Sequence, residues 1–355
     1  MFKIIKDQSD MVEEELVTMT MPSEPRRRRV LPSGSALYRL SAVLTLALLI
    51  VAFSLTSSAF LSVNNGLTVL LQTSVIGLLA IGMTLVIITG GIDLSVGSVL
   101  ALSGVVAGLT IKLGLPVVPA MGLGIVAGAA CGAVNGFVIT KMRITPFVAT
   151  LGMMLIARGL ALQLTGAAPI SRLGEAFGTL GNGSLFRVVE MQANGFPKVV
   201  FPGIPYPAIL LLVMAVLGGY LLKKRQFGRH LFSVGSNEEA ARLSGVSVDR
   251  TKIWAYTLSG ALAGLAGMVL MSRLVTVQPN EGVMYELDAI AASVIGGASL
   301  MGGVGSITGS MIGAFIIGVL RNGLNMAGTS AFIQMIIIGF VVIGAVYVDQ
   351  IRNKS

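Results

Sequence analysis

The sequence has little of the charged surface that a water-soluble protein carries. Only 12% of its 355 residues are charged, 54% are hydrophobic, and the mean hydropathy is +0.87. Soluble domains contain about 25% charged residues, and a fold of this length cannot hide so much apolar surface in one core. The composition therefore excludes a soluble protein and indicates a chain whose surface faces lipid.

Side chains that perform chemistry are also scarce. Cys131 is the only cysteine and His230 the only histidine, which excludes a disulfide, a zinc site and a Cys–His catalytic pair within one copy of the chain. The sequence contains no Gly-Lys dipeptide, so it has no Walker A loop for nucleotide phosphates. We therefore expect no catalytic residue, no metal site and no cofactor on this chain, and an energy source on a partner or in a gradient.

What the sequence does contain is a series of long apolar runs and 45 glycines. Small residues let membrane helices approach closely, and a bilayer crossing needs ~20 mostly apolar residues. We predict an all-α integral membrane protein with about ten transmembrane helices, some of them broken or re-entrant. The approximate segments are 37–60, 67–89, 96–113, 115–140, 146–165, 206–223, 252–271, 288–304, 306–325 and 330–348.

The basic residues indicate how these segments are oriented. They lie in short clusters between apolar runs, which is typical of membrane topology and not of a nucleic-acid-binding face, despite the net charge of +9. With ten spans, most of the 25 Lys and Arg residues fall on one side, which the positive-inside rule identifies as the cytoplasm. Both termini are therefore expected to be cytoplasmic.

The polar stretches divide the chain into regions. Residues 1–36 contain four consecutive arginines and several prolines, and they predict a disordered, basic cytoplasmic tail. Residues 37–350 form the predicted transmembrane domain. Within it, 166–205 is an external, periplasmic segment rich in Gly, Pro and Asn, and 224–251 is the longest cytoplasmic segment between spans. The external segment is either a simple connector or a docking surface for an outside partner.

The cytoplasmic segment predicts a short helix that needs a packing partner. Ser236 and Glu239 have the spacing of a capping box, and Gly245 is a natural helix terminator. The two-turn helix between them is too short to be stable alone in water. It is either an ordinary helix between spans or a lever that inserts into a partner's cleft, with Glu238, Glu239, Ala240, Arg242 and Gly245 as candidate coupling residues.

An ionisable residue follows two glycines between two apolar runs. Gly90 and Gly91 allow the backbone to leave the helix, which is tolerated at membrane depth only where protein or a water-filled cavity satisfies the freed groups. A carboxylate in the membrane is costly, so Asp93 is a candidate functional residue. The alternative is a helix cap near the cytoplasmic interface, in which Asp93 accepts from the amides of Ser95 or Val96.

Further polar residues lie within the apolar segments. Arg158 either extends its side chain outward to the interface or pairs with a carboxylate in the bundle. Amide and hydroxyl groups suit a neutral, hydroxyl-rich solute, and the near absence of carboxylates argues against a proton- or sodium-coupled carrier. The candidate pathway or gating residues are Gly90, Gly91, Asp93, Ser95, Asn135, Arg158, Asn322 and Asn325.

Several stretches together carry a resemblance to a transporter family. The segment GRHLFSVGSNEEAARLSG at 228–245 resembles the coupling loop of ABC-importer permeases, more specifically the branched-chain amino acid and monosaccharide permease superfamily. The run GMTLVIITGGIDLSVGS at 82–98 resembles the ribose-type sugar permeases within it. Asn135-Gly136, ITPFVATLGM at 144–153, IGGASL at 295–300 and GGVGS at 302–306 also resemble that subfamily.

The resemblance, from about residue 40 to the C-terminus, implies a permease subunit of a bacterial inner-membrane importer that is not itself an enzyme. It implies a second permease copy or paralogue, a cytoplasmic ATPase subunit that binds ATP and Mg, and a periplasmic sugar-binding protein. The implied function is translocation of a ribose-like monosaccharide by alternating access. A secondary carrier for a small polar solute, a channel-type protein and a branched-chain amino acid permease remain the alternatives.

Overall fold

In the computed structural model the protein is described for residues 34–192 and 197–354. The described part is mostly helical, and Tyr38–Ser355 form one compact unit. Residues 1–33 of the predicted tail lie outside the described residues. The helices are α1 Gly34–Thr56, α2 Val63–Ile88, α3 Val96–Lys112, α4 Val117–Lys141, α5 Pro146–Thr165, α6 Glu175–Asn182, α7 Tyr206–Lys224, α8 Gln226–Ser236, α9 Glu238–Leu243, α10 Val248–Leu274, α11 Tyr285–Ile295, α12 Ile307–Met326 and α13 Ala331–Lys354.

The long apolar helices agree with a membrane protein. Within the described ranges, six helices are long and apolar enough to cross a bilayer: α2, α4, α5, α7, α10 and α12. Three shorter apolar helices lie at Ser41–Thr56, Val96–Lys112 and Ala331–Tyr347. The count of ten spans and the orientation of the termini stay predictions.

The predicted span at 288–304 differs most from the structure. Its helix, α11, has 11 residues and ends at Ile295, and residues 296–306 have no regular secondary structure. Gly302 has φ +86°, a left-handed conformation that stops a helix and that residues with a side chain rarely adopt. The segment is therefore a short helix followed by a loop, which is one form of the broken span expected from sequence.

Two small sheets correct the expectation of an all-α chain. They lie in the predicted external segment, where β1 Ser184–Leu185 pairs antiparallel with β4 Ile204–Pro205, and β2 Val188–Met191 pairs with β3 Pro197–Phe201. In each pair of strands, backbone N–H and C=O groups bond to each other across the strands, so this segment pairs its backbone without forming a helix. Valines and aromatics, which favour extended backbone, make up much of these strands.

The core of the bundle is built on α10, α2 and α4. Every residue of α2 from Thr73 to Ile88 is buried, and α10 packs most extensively against α4, then against α2 and α3. Glycines at 124, 128, 132 and 136 place one small residue on every turn of α4 along the face that touches α10. The two backbones therefore approach closely over four turns.

Candidate functional site

The structure brings Asp93, Ser95 and Asn135 together in one buried polar cluster. The carboxylate Oδ1 of Asp93 accepts from the backbone N–H of Ser95 (3.0 Å) and from its hydroxyl (2.6 Å), and Oδ2 accepts from the hydroxyl of Ser259 (3.0 Å). The Asn135 amide donates to the Ser95 hydroxyl at 2.9 Å. Asp93, Ser95, Asn135 and Ser259 are each about 1% exposed, so the cluster joins the start of α3 to α4 and α10 away from solvent.

This cluster lies well along α10 and not at the first residue of that helix. Ser259 is 11 residues beyond the first residue of α10, which corresponds to about 16 Å along the helix axis at 1.5 Å per residue. Ser95 is the N-cap residue of α3. Asp93, two residues before it, accepts a hydrogen bond from the Ser95 backbone amide. The expected amide contact is present, and the cap position itself belongs to Ser95.

The two glycines before Asp93 form a turn against other parts of the chain. Gly90 has φ +77°, and a Cβ at Gly91 would overlap the hydroxyl of Tyr256 on α10. The loop at 296–306 reaches the same turn, because the Gly303 N–H donates to the carbonyl of Ile88 at 2.9 Å.

Gly235 of α8 also contacts this turn, where a Cβ would overlap both the carbonyl of Ile88 and the backbone nitrogen of Gly303. Residues from the cytoplasmic segment, the 90–91 turn and the 296–306 loop therefore meet through backbone atoms.

Arg158 has a partner that differs from the predicted carboxylate. Its guanidinium donates to the carbonyl oxygens of Pro279 (2.6 Å) and Glu281 (2.8 Å), in the connection between α10 and α11. A guanidinium has five N–H donors, so it can donate to carbonyl oxygens of a connection that lies outside the helices. Arg158 therefore holds α5 to this connection.

The remaining candidates, Asn322 and Asn325, lie near the C-terminal end of α12. Asn322 is 4% exposed. Asn325 accepts from the Gln334 side chain at 2.7 Å and lines a cavity together with Asp288 and Arg321. Neither joins the Asp93 cluster.

Sequence analysis missed Asp288 and Arg321, which form an ion pair at 2.7 Å between α11 and α12, with Asp288 buried and Arg321 partly exposed. The available signal was one ionisable residue in each of two neighbouring apolar segments, a pattern that usually marks pairing or function.

The short helix predicted in the cytoplasmic segment is present as α9. Its N-cap is Asn237, whose side-chain oxygen accepts from the Ala240 amide at 2.9 Å, so the predicted capping box of Ser236 and Glu239 is wrong. Ser236 is instead the last residue of α8, a second helix in this segment that the sequence analysis did not predict. Gly245 follows α9 with φ +82°, as a terminator should.

One side of α9 packs on the chain and the other is open. Ala241 is buried among Val234, Val246 and Val248. Glu239, Ala240 and Leu243 are exposed, and Leu243 is 84% exposed. A single exposed leucine is ordinary on a protein surface, so Leu243 is a candidate contact because it lies on the predicted coupling helix.

Ion pairs connect α9 to α4 and α10. Glu238 pairs with Lys252 of α10 at 2.6 Å and with Arg242 at 3.3 Å, and Asp249 of α10 pairs with Lys141 of α4 at 2.7 Å. Arg242 also lies 4.0 Å from Asp249. Glu238 and Arg242 are ion-paired within the chain but remain exposed, so Glu238, Glu239, Ala240, Arg242 and Leu243 all belong to the surface that α9 offers a partner.

Comparison with known proteins identifies the family. A model of the permease component of branched-chain amino acid transport systems matches residues 65–346. The chain belongs to this permease family. The ribose import permease protein RbsC of Bacillus subtilis is 44% identical to this permease over 89% of the chain and 94% of the relative.

Other relatives extend the comparison to a second sugar. The RbsC protein of Escherichia coli K12 is 42% identical over 87% of the chain and 92% of the relative. The xylose transport system permease protein XylH of Haemophilus influenzae is 34% identical over 88% and 96%. No solved structure matches the permease at a significant level. The family and the six long apolar helices make the chain a multi-pass protein of the bacterial inner membrane.

Proposed function

We propose that this permease is the transmembrane subunit of an ATP-driven importer for a ribose-like monosaccharide. The observation that carries the proposal is 44% identity to a ribose import permease over 89% of the chain. A relative named for xylose supports the sugar class over branched-chain amino acids. The hydroxyl and amide groups of Ser95, Ser259 and Asn135 suit the handling of a neutral polar solute, and among the described residues no second carboxylate bonds to the Asp93 cluster.

The proposed mechanism is alternating access driven from the cytoplasm. ATP and Mg bind to a partner ATPase pair, whose closure displaces α9. The Glu238–Lys252 ion pair passes this displacement to α10, which carries Ser259 of the Asp93 cluster. At the same time Gly235 of α8 moves against the backbone turn at 90–91. Both routes end at or beside residues 90–93, which are not helical. A change of conformation there breaks few helical hydrogen bonds.

The proposed assembly includes a second permease copy, an ATPase pair and a periplasmic sugar-binding protein. The exposed apolar residues of the external hairpin, Val188, Val189, Met191, Val199 and Val200, support contact with a protein or lipid surface on that side. The outward-facing helices α4, α5 and α7 have many exposed apolar side chains, which supports contact with lipid. No nucleic acid is expected in the assembly.

Reconstitution tests the proposed function. The permease would be purified in mild detergent with the ATPase that accompanies it, placed in liposomes, and supplied with its binding protein. We expect accumulation of labelled ribose that requires ATP and the binding protein. Uptake driven by an ion gradient without ATP, or passive flux through the permease alone, would contradict the proposal.

The exposed end of α9 gives a prediction about coupling. Leu243→Asp places a charge in the proposed ATPase contact, and loss of an interface anchor costs about 2 kcal/mol, or about 30-fold in affinity. We expect co-purified ATPase and ATP-driven uptake to fall at least tenfold while the amount of permease in the membrane is unchanged. Leu243→Met keeps the apolar contact and is the matched control. Normal uptake in Leu243→Asp would remove α9 from the coupling role.

A further inference from the structure

A cavity with both polar and apolar lining lies at the end of the bundle opposite α9. It has a volume of about 190 Å³, its polar lining includes Arg273, Tyr285, Asp288, Arg321, Asn325 and Gln334, and Val75, Ile76 and Leu270 supply apolar lining. Arg273 is 24 residues beyond Asp249 in α10, which places the cavity about 36 Å along the helix from the α9 ion pairs. If α9 is cytoplasmic, the cavity is on the periplasmic side, where an importer receives its substrate.

The cavity contains polar atoms that the described residues leave unsatisfied. Asp288 is 1% exposed, and only its Oδ2 is bonded, to Arg321 at 2.7 Å. Among the described residues, Oδ1 of Asp288 and Nε of Arg321 have no hydrogen-bond partner. A buried polar group without a partner destabilises the fold, so a ligand or water that supplies both an acceptor and a donor is favoured here.

Sugar hydroxyls meet this requirement because each hydroxyl both donates and accepts. The lining offers a carboxylate, guanidinium groups, amides and the phenol of Tyr285, whose ring also presents an apolar face. The cavity has room for a small sugar.

We propose that the Asp288–Arg321 cavity is a monosaccharide-binding subsite on the external side of the permease, occupied between release from the binding protein and passage toward the Asp93 cluster. This inference rests on the proposed function. The Asp288–Arg321 pair holds the subsite in shape, and Asn325 with Gln334 forms its rim, linked at 2.7 Å.

Cysteine protection tests the subsite directly. Cys131→Ser removes the single native thiol, and Asn325→Cys then places one reactive thiol on the cavity rim of the assembled transporter. We expect D-ribose to slow modification by a small charged thiol reagent severalfold and saturably, while sucrose has no effect. Asn64→Cys, in a separate groove lined by Asn182 and Arg187, is the matched control and should not be protected.

Parallel measurements separate the possible failures. ATP-driven ribose uptake by the Cys131→Ser protein, in which Asn325 is intact, reports on the proposed function, and protection of the Asn325→Cys thiol reports on the subsite. Uptake without protection would overturn the subsite and leave the proposed function intact. The cavity would then hold only water around the Asp288–Arg321 ion pair. When Asp288→Asn is added to the Asn325→Cys protein and the yield is unchanged, we expect ribose protection to be lost. Full protection in that variant would also overturn the assignment.

Discussion

Gly132→Leu should prevent the permease from forming a stable bundle. A Cβ at Gly132 would overlap the carbonyl oxygen of Tyr256 and lie 2.8 Å from its carbonyl carbon, both of which belong to the backbone of α10. Overpacking costs about 1–3 kcal/mol when side chains can move aside. Here two helix backbones must separate, so we expect a larger cost and a transition midpoint lower by at least roughly 5 °C.

The measurement is the yield and thermal midpoint of monodisperse protein in mild detergent. Gly122→Leu is the matched control, because Gly122 lies on the same helix and a Cβ there meets nothing within 4 Å. We expect the control to retain the yield, the midpoint and the uptake of the unmodified permease. A Gly132→Leu protein as stable as the control would contradict the close α4–α10 packing.

Asp93→Ala should abolish most transport, and Asp93→Asn should retain much more of it. Alanine leaves the Ser95 amide, the Ser95 hydroxyl and the Ser259 hydroxyl without the acceptor that now binds all three. Each unpaired buried group costs about 1–3 kcal/mol, offset in part because the desolvated carboxylate is also gone. Asparagine keeps one acceptor oxygen, and its amide can donate to a hydroxyl that rotates.

Initial rates of ATP-driven uptake at equal protein level decide between these outcomes. We expect at least a tenfold loss for alanine and a loss of only a few fold for asparagine. Ser103→Ala is the control on α3, since the buried Ser103 hydroxyl has no hydrogen-bond partner among the described residues. Equal loss in Asp93→Ala and Asp93→Asn would instead show that the negative charge itself is required, as in an ion-coupled carrier.

Composition and hydropathy were enough to predict the class of the protein and most of its helices. Charge content and apolar runs depend on composition over tens of residues, so they predicted a helical membrane protein, and six long apolar helices are found at segments that the sequence marked. The glycine and aspartate motifs also selected residues that do meet, because Asp93 and Ser95 are neighbours in sequence. The family resemblance was confirmed over residues 65–346.

Which distant residues meet, and which helices end early, depends on how the helices pack in three dimensions. Ser259 reaches Asp93 across 166 positions, and Arg321 reaches Asp288 across 33, and no local pattern encodes such distances. Asn237, and not Ser236, caps α9 because a separate helix occupies the residues before it. The depth of Asp93 likewise follows from how α3, α4 and α10 pack, since burial is set by neighbours in space and not by hydropathy along the chain.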